Sequence, residues 1–277
     1  MSYRKQFIVA PDQHVKLAGV DPGFTAAHKN KSDAAVEMED DDAKLRDLQY
    51  LLYADNARSL LIVLQGLDAS GKDGTIAHVF GALNPAGARV HQFKTPTALE
   101  AAHDFLWRVH AAAPQRGEIV IFNRSHYESV LIERVHGLVP KSVWSGRYDL
   151  INEFERNLTA AGTVILKFYL HMSEKEQLKR FKSRLDDPMR RWKISDADYA
   201  ERSYFKDYLT AYEDMLERTS TAHAPWFVIP SDHKWFRNLA VSKIVVETLG
   251  SLGLHVPPTT VDLDEIRRKY HAAEHGG

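Results

Sequence analysis

Nine residues, Gly66-Leu67-Asp68-Ala69-Ser70-Gly71-Lys72-Asp73-Gly74, carry the clearest chemistry in the chain. Gly-x4-Gly-Lys is the spacing of a P-loop, a turn whose backbone N–H groups cradle phosphate oxygens while the lysine reaches the outer phosphates. The run Leu60–Gln65 before it reads as an apolar strand and Thr75–Leu83 after it as a helix. The loop therefore stands at a helix N-terminus, where the dipole and free N–H groups favour an anion. Candidate phosphate ligands are Gly66, Ala69, Ser70, Gly71, Lys72, Asp73 and Gly74. One position departs from the pattern. Asp73 stands where a Ser or Thr hydroxyl normally holds Mg²⁺. Either other oxygens hold the metal, Asp68 first among them, or the protein is not an ordinary ATPase or GTPase.

A second cluster, Asn123-Arg124-Ser125-His126-Tyr127-Glu128, follows the apolar run Glu118–Asn123. In open α/β sheets ligands sit outside the carboxyl ends of strands. A P-loop enzyme usually places an acidic metal ligand there, whereas Asn123 offers only a neutral oxygen. Arg124 would face the same crevice and bind a transferred phosphate, or else form a local salt bridge with Glu128. His126 reads as a satisfied histidine at a helix start. The fourteen histidines show no zinc-ligand spacing. A third cluster gathers Arg184, Arg190, Arg191 and Lys193 around Pro188. It is either a solvated corner or a lid over bound phosphates, and phosphoryl transfer needs more positive charge than one lysine supplies.

The elements that must position these groups alternate. Apolar runs at Leu60–Gln65, Glu118–Asn123, Thr163–Leu170 and Trp226–Ile229 read as strands, and Arg89–Phe93 as a further short strand. Helical patterns fall at Ala98–Ala112, Asp149–Ala161, from Ser173, and at Trp235–Leu249, with Lys94–Thr97 as a turn and N-cap. Such alternation predicts an α/β fold with a parallel sheet flanked by crossover helices. Residues 1–42 read as an N-terminal arm, extended at first and ending in the acidic run Glu37–Asp42. That run suits the N-terminus of a helix carrying Leu45, Leu48, Leu51 and Leu52. The core is expected over 43–255, with the lid at about 184–212. A tail follows at 256–277, frayed from Arg267 to Gly277.

At 277 residues the chain can bury a substantial core. Its net charge of −1 gives no global attraction to nucleic acid or an anionic membrane, so any polyanion must be caught locally. The absence of cysteine removes disulfides, thiolate metal sites and thiol nucleophiles together. No apolar run approaches the ~20 residues of a membrane span, and the first residues lack a signal-peptide core. A cytoplasmic location is expected.

Together the P-loop nonapeptide, Phe93-Lys94-Thr95-Pro96-Thr97, Phe122–Glu128, Arg191-Trp192-Lys193 and Ala224–Pro230 resemble the polyphosphate kinase 2 family, in the same order from about residue 40 to about 255. The resemblance implies a P-loop kinase core with a helical lid, and Mg²⁺-dependent phosphoryl transfer between inorganic polyphosphate and purine nucleotides, with Mn²⁺ as a substitute metal. It implies that Asp68 engages the metal and that Lys72, Arg124 and Arg184 act on the phosphates, with Arg190, Arg191 and Lys193 as further phosphate contacts. Thr95, Asn123 and Glu128 are the candidate nucleotide contacts. The commoner family form reads Asp-Arg-Ser-Trp-Tyr-Asn at the second motif. Asn123, His126 and Glu128 resemble instead the subgroup that accepts AMP as well as ADP, with Glu128 near the nucleoside. A homo-oligomer is expected, without nucleic-acid or membrane partners. The rival readings are an ATP-dependent kinase of a nucleoside or small metabolite, and a non-catalytic nucleotide-binding switch.

Overall fold

The run Ser59-Leu60-Leu61-Ile62-Val63-Leu64-Gln65 shows no alternation of polar and apolar residues, the mark of a strand covered on both faces. In a computed structural model, which describes residues 2–275, this run is the first strand and is buried throughout. The sheet comprises β1 (Ser59–Gln65), β2 (Ala88–Gln92), β3 (Ile119–Asn123), β4 (Thr163–His171) and β5 (Trp226–Pro230). Their order is β2-β3-β1-β4-β5, and each neighbouring pair is parallel. The order reverses around β1, and ligands of such sheets bind outside the carboxyl ends at that reversal.

Helices cover both faces. The N-terminal region holds α1 (Tyr3–Phe7) and the long α2 (Lys31–Asp55); α3 (Lys72–Val79) follows the glycine loop. After β2 come the short α4 (Ala98–Ala101) and α5 (Trp107–Ala112), and after β3 come α6 (Ile132–Val135), α7 (Lys141–Trp144) and α8 (Arg147–Ala160). Between β4 and β5 lie α9 (Glu174–Asp186), α10 (Asp196–Arg202) and α11 (Phe205–Thr219); α12 (Lys234–Gly250) and α13 (Leu263–His275) close the chain. Leu60, Ile62 and Leu64 pack with α1, α2, α3 and α12. Leu61 and Val63 point the other way, toward α5, α8 and α11. The period-2 geometry of a strand thus divides one apolar run between two cores.

Four readings change. The expected helix Ala98–Ala112 is two short helices, because the Asp104 carboxylate accepts the Leu106 N–H and restarts the chain as an Asx turn. The acidic run is no helix start: α2 begins at Lys31, with the Asn30 side chain accepting from Ser32 and Asp33, and it passes unbroken through residue 42. The tail is not frayed as far as it is described, since Arg267 to His275 continue α13. That helix is held by Asp262 at its start and by the pairs Asp264–Arg267 and Glu265–Lys269; Gly276 and Gly277 lie outside the described residues. Finally, the arm is only partly extended. It includes α1 and a 3-10 turn at Leu17–Gly19, and Ile8 pairs with Phe227 to cover the outer edge of β5.

Glu37 and Asp41, four residues apart on α2, turn inward to Lys243 of α12 at 3.0 and 3.3 Å. Glu37 also meets His28 at 2.8 Å. Burial raises the Asp41 pKa although Lys243 opposes the shift. Lys243→Ala would strand a buried carboxylate. It is expected to lower stability by about 2 kcal/mol, less than a fully buried pair because the lysine is partly exposed. Urea denaturation at pH 7 measures this. The loss should shrink as pH falls through the raised pKa of Asp41, because a protonated carboxyl no longer needs its cation.

Candidate active site

The P-loop runs from the end of β1 into α3, whose N-cap is Gly71 at φ +106°. A Cβ at Gly71 would lie 1.8 Å from Nη1 of Arg237, so both the backbone and the packing require glycine there. Ala69 holds φ +64° within the same turn, a costly conformation for a residue with a side chain.

Carbonyl groups explain how the turn is held. Lys72 Nζ donates to the Gly66 carbonyl at 2.6 Å and to that of Leu67 at 3.3 Å. Gln177 Nε2 donates to the Asp68 carbonyl at 3.1 Å. Arg180 Nη1 donates to Ala69 and Ser70 at 2.8 and 2.9 Å, and Arg237 Nη1 to Ser70 at 3.1 Å. Every carbonyl from Gly66 to Ser70 is therefore engaged by a side chain. Across a trans peptide the following N–H points the opposite way, so the Gly71 N–H is aimed away from the arginines.

Lys72 is not solvent-facing at the loop; it is buried, curled over the carbonyls it binds. Burial, then the Arg124 cation, pull its pKa down to about 8 against Asp68, Glu128 and Asp73. At neutral pH it remains mostly charged.

Arg124 follows β3 with φ +61°, a further strained residue within the site. Its guanidinium bridges Asp68 at 2.9 Å and Glu128 at 3.4 Å. The loop-spanning bond to Asp68 and the local salt bridge with Glu128 thus coexist. Burial opposes its charge, but Glu128 and Asp68 more than offset that and push its pKa up. Asn123 Nδ2 donates to Asp73 Oδ1 at 2.8 Å. Strand and loop have exchanged roles: the carboxylate that a P-loop enzyme carries on the strand stands here on the loop, beside the lysine. His126 is buried against Glu155 and begins a 3-10 turn, His126–Val130, so it stands at a helix start as expected, but it is not satisfied: its buried Nδ1 finds no hydrogen-bond partner among the described residues.

A cleft of about 710 Å³ opens over the loop and is lined by Lys31, Lys72, Arg124, Arg180, Arg184, Arg190, Lys193, Lys234 and Arg237. Asp68 and Asp73 are the only carboxylates among its lining residues. From the 184–212 region, Arg184, Arg190 and Lys193 reach this cleft, with Lys193 3.9 Å from Asp73. Arg191 does not line it; its Nε donates to the Leu185 carbonyl at 2.9 Å and steadies the turn. Thr95 is exposed and lies outside the cleft lining, as does Glu128, which reaches the site through Arg124.

A sequence model of polyphosphate kinase 2 matches residues 28–252. The chain belongs to the polyphosphate kinase 2 family. The AMP/ADP-polyphosphate phosphotransferase of Meiothermus ruber is 49% identical over 254 residues, covering 91% of this chain and 95% of that protein. The ADP-polyphosphate phosphotransferase of Rhodopseudomonas palustris is 44% identical, over 92% and 93% of the two chains. Among solved structures, polyphosphate kinase 2 from Arthrobacter aurescens superposes with a TM-score of 0.94 at 40% identity, covering 98% of this chain and 97% of its own.

Sequence reasoning missed the residues behind the loop of this polyphosphate kinase 2 chain: Arg180, Lys234, Arg237 and Gln177. Arg237 carried a signal, one of three charges, with Lys243 and Glu247, in the helix Trp235–Leu249. Arg180 was masked by Glu176, four residues earlier, with which it makes an ordinary helical ion pair at 3.0 Å. Burial and the nearby Arg180 cation lower the Arg237 pKa, yet a guanidinium keeps its proton at neutral pH.

The depressed lysine pKa makes anion capture pH-dependent. Lys72 is cationic below about pH 8 and loses its charge above it. Affinity of the free protein for tripolyphosphate, measured by calorimetric titration, is expected to fall as pH rises through about 8. Lys72→Ala should bind more weakly throughout and show no such step. A wild-type curve flat from pH 7 to pH 9 would remove the lysine from the binding equilibrium.

Proposed function

We propose that this protein transfers phosphoryl groups between inorganic polyphosphate and purine nucleotides, accepting AMP as well as ADP, with Mg²⁺. The observation that carries the reading is the charge of the cleft. Nine lysines and arginines against two aspartates exceed what the phosphates of one nucleotide need, and they suit a long polyanion laid past Lys72. Family membership and the names of both relatives above support polyphosphate and ADP as substrates, and the name of the Meiothermus ruber relative supports AMP as well.

In the direction of nucleotide synthesis, a non-bridging oxygen of the acceptor's terminal phosphate attacks the end phosphorus of polyphosphate. The bond from that phosphorus to the bridging oxygen breaks, and the shortened chain leaves with the electron pair. The acceptor oxygen is already ionised, so no general base is required. Protein catalysis then rests on alignment and charge neutralisation. Lys72 and the outward loop amides hold the phosphates. Arg124 and Arg184 neutralise the group in flight, and Arg190, Lys193 and Lys234 hold the tail. The 184–212 excursion acts as the lid.

The donor set fits Mg²⁺. Among the described residues no three His, Cys, Asp or Glu side chains form a metal cage, and Mg²⁺ usually takes only one or two carboxylates and completes its shell with water and substrate phosphates. Asp68 and Asp73 are those carboxylates, and Asn123 orients Asp73. When bound, the metal neutralises charge on the phosphate oxygens.

Incubation with AMP, ADP or GDP, long-chain polyphosphate and Mg²⁺, with products resolved by chromatography, tests the reading. ADP and ATP are expected from the adenine nucleotides. Lys72→Ala should lower kcat by about 10²–10³-fold, as for other positioned charges on a reacting group. A protein that consumes ATP with a nucleoside or metabolite but leaves polyphosphate untouched is the rival kinase.

AMP lacks one phosphate, so its nucleoside must sit deeper for its α-phosphate to reach the transfer position. Glu128 can accept a hydrogen bond from a base amino group or ribose hydroxyl there. Glu128→Asn should lower the AMP/ADP ratio of kcat/KM by roughly ten- to a hundredfold, the loss of one such bond at about 1–3 kcal/mol. The variant also releases Arg124, but that arginine serves both acceptors, so the ratio isolates the nucleoside contact. An unchanged ratio takes Glu128 out of acceptor choice.

A further inference from the structure

Lys167 is a lone charge in the middle of an apolar strand, Thr163-Val164-Ile165-Leu166-Lys167-Phe168-Tyr169-Leu170, and it is fully buried. Its ammonium has three donors, and each has an acceptor. Nζ donates to Glu155 Oε2 at 2.6 Å, to the Tyr127 hydroxyl at 2.8 Å and to the Thr219 carbonyl at 2.7 Å. Those acceptors lie on three separate elements. Glu155 is on α8, Tyr127 is in the 3-10 turn His126–Val130, and Thr219 is the last residue of α11. Glu155 Oε1 in turn accepts from the Tyr127 hydroxyl at 2.7 Å and meets His126 Nε2 at 3.3 Å.

Stability alone does not account for this arrangement. Taking an ion pair out of water is costly, and well-packed apolar residues in its place often leave a protein equally or more stable. What the pair supplies is geometry. The turn that holds Tyr127 begins two residues after Arg124, whose φ of +61° persists only when its surroundings over-determine it. The same turn carries Glu128. The far partner, Thr219, ends the helix that returns the 184–212 excursion to the sheet.

We infer that Lys167 is a positioning residue for phosphoryl transfer: with Glu155 and Tyr127 it locks the Arg124–Glu128 segment to the returning end of α11, so that the phosphate-facing arginine and the excursion keep one relative placement. What is being positioned rests on the phosphotransferase reading above. Lys167 touches no substrate and acts only through Tyr127 and Thr219.

The test uses the full chain carrying Tyr127→Phe, Glu155→Leu and Lys167→Met together, which removes the ion pair and the hydroxyl between them without leaving a lone buried charge. The thermal midpoint is expected to stay level or rise. With ADP and polyphosphate, kcat should fall by roughly ten- to a hundredfold, the scale of a small misplacement of a reacting group, while the polyphosphate KM holds. Amide hydrogen exchange should quicken by roughly tenfold in peptides spanning 126–131 and 216–220. A folded triple variant with wild-type kcat and wild-type exchange overturns the inference and leaves a packed core. Should the triple variant not fold, Tyr127→Phe alone decides: it keeps the ion pair, and an unchanged kcat with unchanged exchange overturns the inference equally. A wild-type protein that transfers nothing from polyphosphate defeats the functional reading instead. The exchange comparison then still decides whether Lys167 holds the two segments together.

Discussion

Five consecutive carbonyl groups, from Gly66 to Ser70, are each bound by a side chain, and the remainder of the site depends on that constraint. A peptide unit whose oxygen is fixed on one side has its N–H fixed on the other. The side chains behind the loop therefore set the direction of the amides in front of it. Two of them are arginines whose burial is costly unless hydrogen bonds satisfy them. Arg180 and Arg237 obtain those bonds only from the loop, from Ser231 and Asp232, and from neighbouring polar side chains. Loop and arginines thus hold one another in place.

The balance of charge follows from the same geometry. With so many cations around one cleft, the ligand-free protein is under mutual repulsion, and its two aspartates relieve it locally. Asp68 takes Arg124, and Asp73 stands near Lys193. Both contacts are partly exposed, so water screens them and they contribute little to stability. They are readily exchanged for a phosphate or a metal. The deep Lys167–Glu155 pair differs in kind, because no solvent reaches it. There the lysine holds Glu155 below the usual carboxylate range although burial pushes the other way.

Much of this was legible in the sequence, and the limits have physical causes. Four strands, β1, β3, β4 and β5, appear as apolar runs because they are buried in the sheet, whereas the edge strand β2 is half exposed and carries Arg89, His91 and Gln92; the loop appears through spacing that few other structures need. Asp68, Lys72 and Arg124 meet as expected, since each lies beside a strand end. Local chemistry escaped the pattern. Asp104 breaks a helix with a single side-chain bond, and Asp262 starts one that runs on into the stretch from Arg267 read as frayed. The inward turn of Glu37 and Asp41 depended on Lys243, some two hundred residues away, which no local window contains. Arg191 and Thr95 matched a motif by position, yet neither reaches the cleft, because a motif does not state which way a side chain points.

The close approach of Arg237 to Gly71 also ties two distant positions into one hereditary unit. With only 1.8 Å between a would-be Cβ and the guanidinium, and a φ of +106° that side chains rarely adopt, losing the arginine would clear the space at 71 but leave the backbone strain. Loss of the arginine first, however, frees the Ser70 carbonyl from one of its two side-chain partners. Either change alone is harmful and the two together remain so, which leaves glycine and arginine as a fixed pair. Position 237 is thus held by the carbonyl it serves, and position 71 by its own backbone as well as by its neighbour.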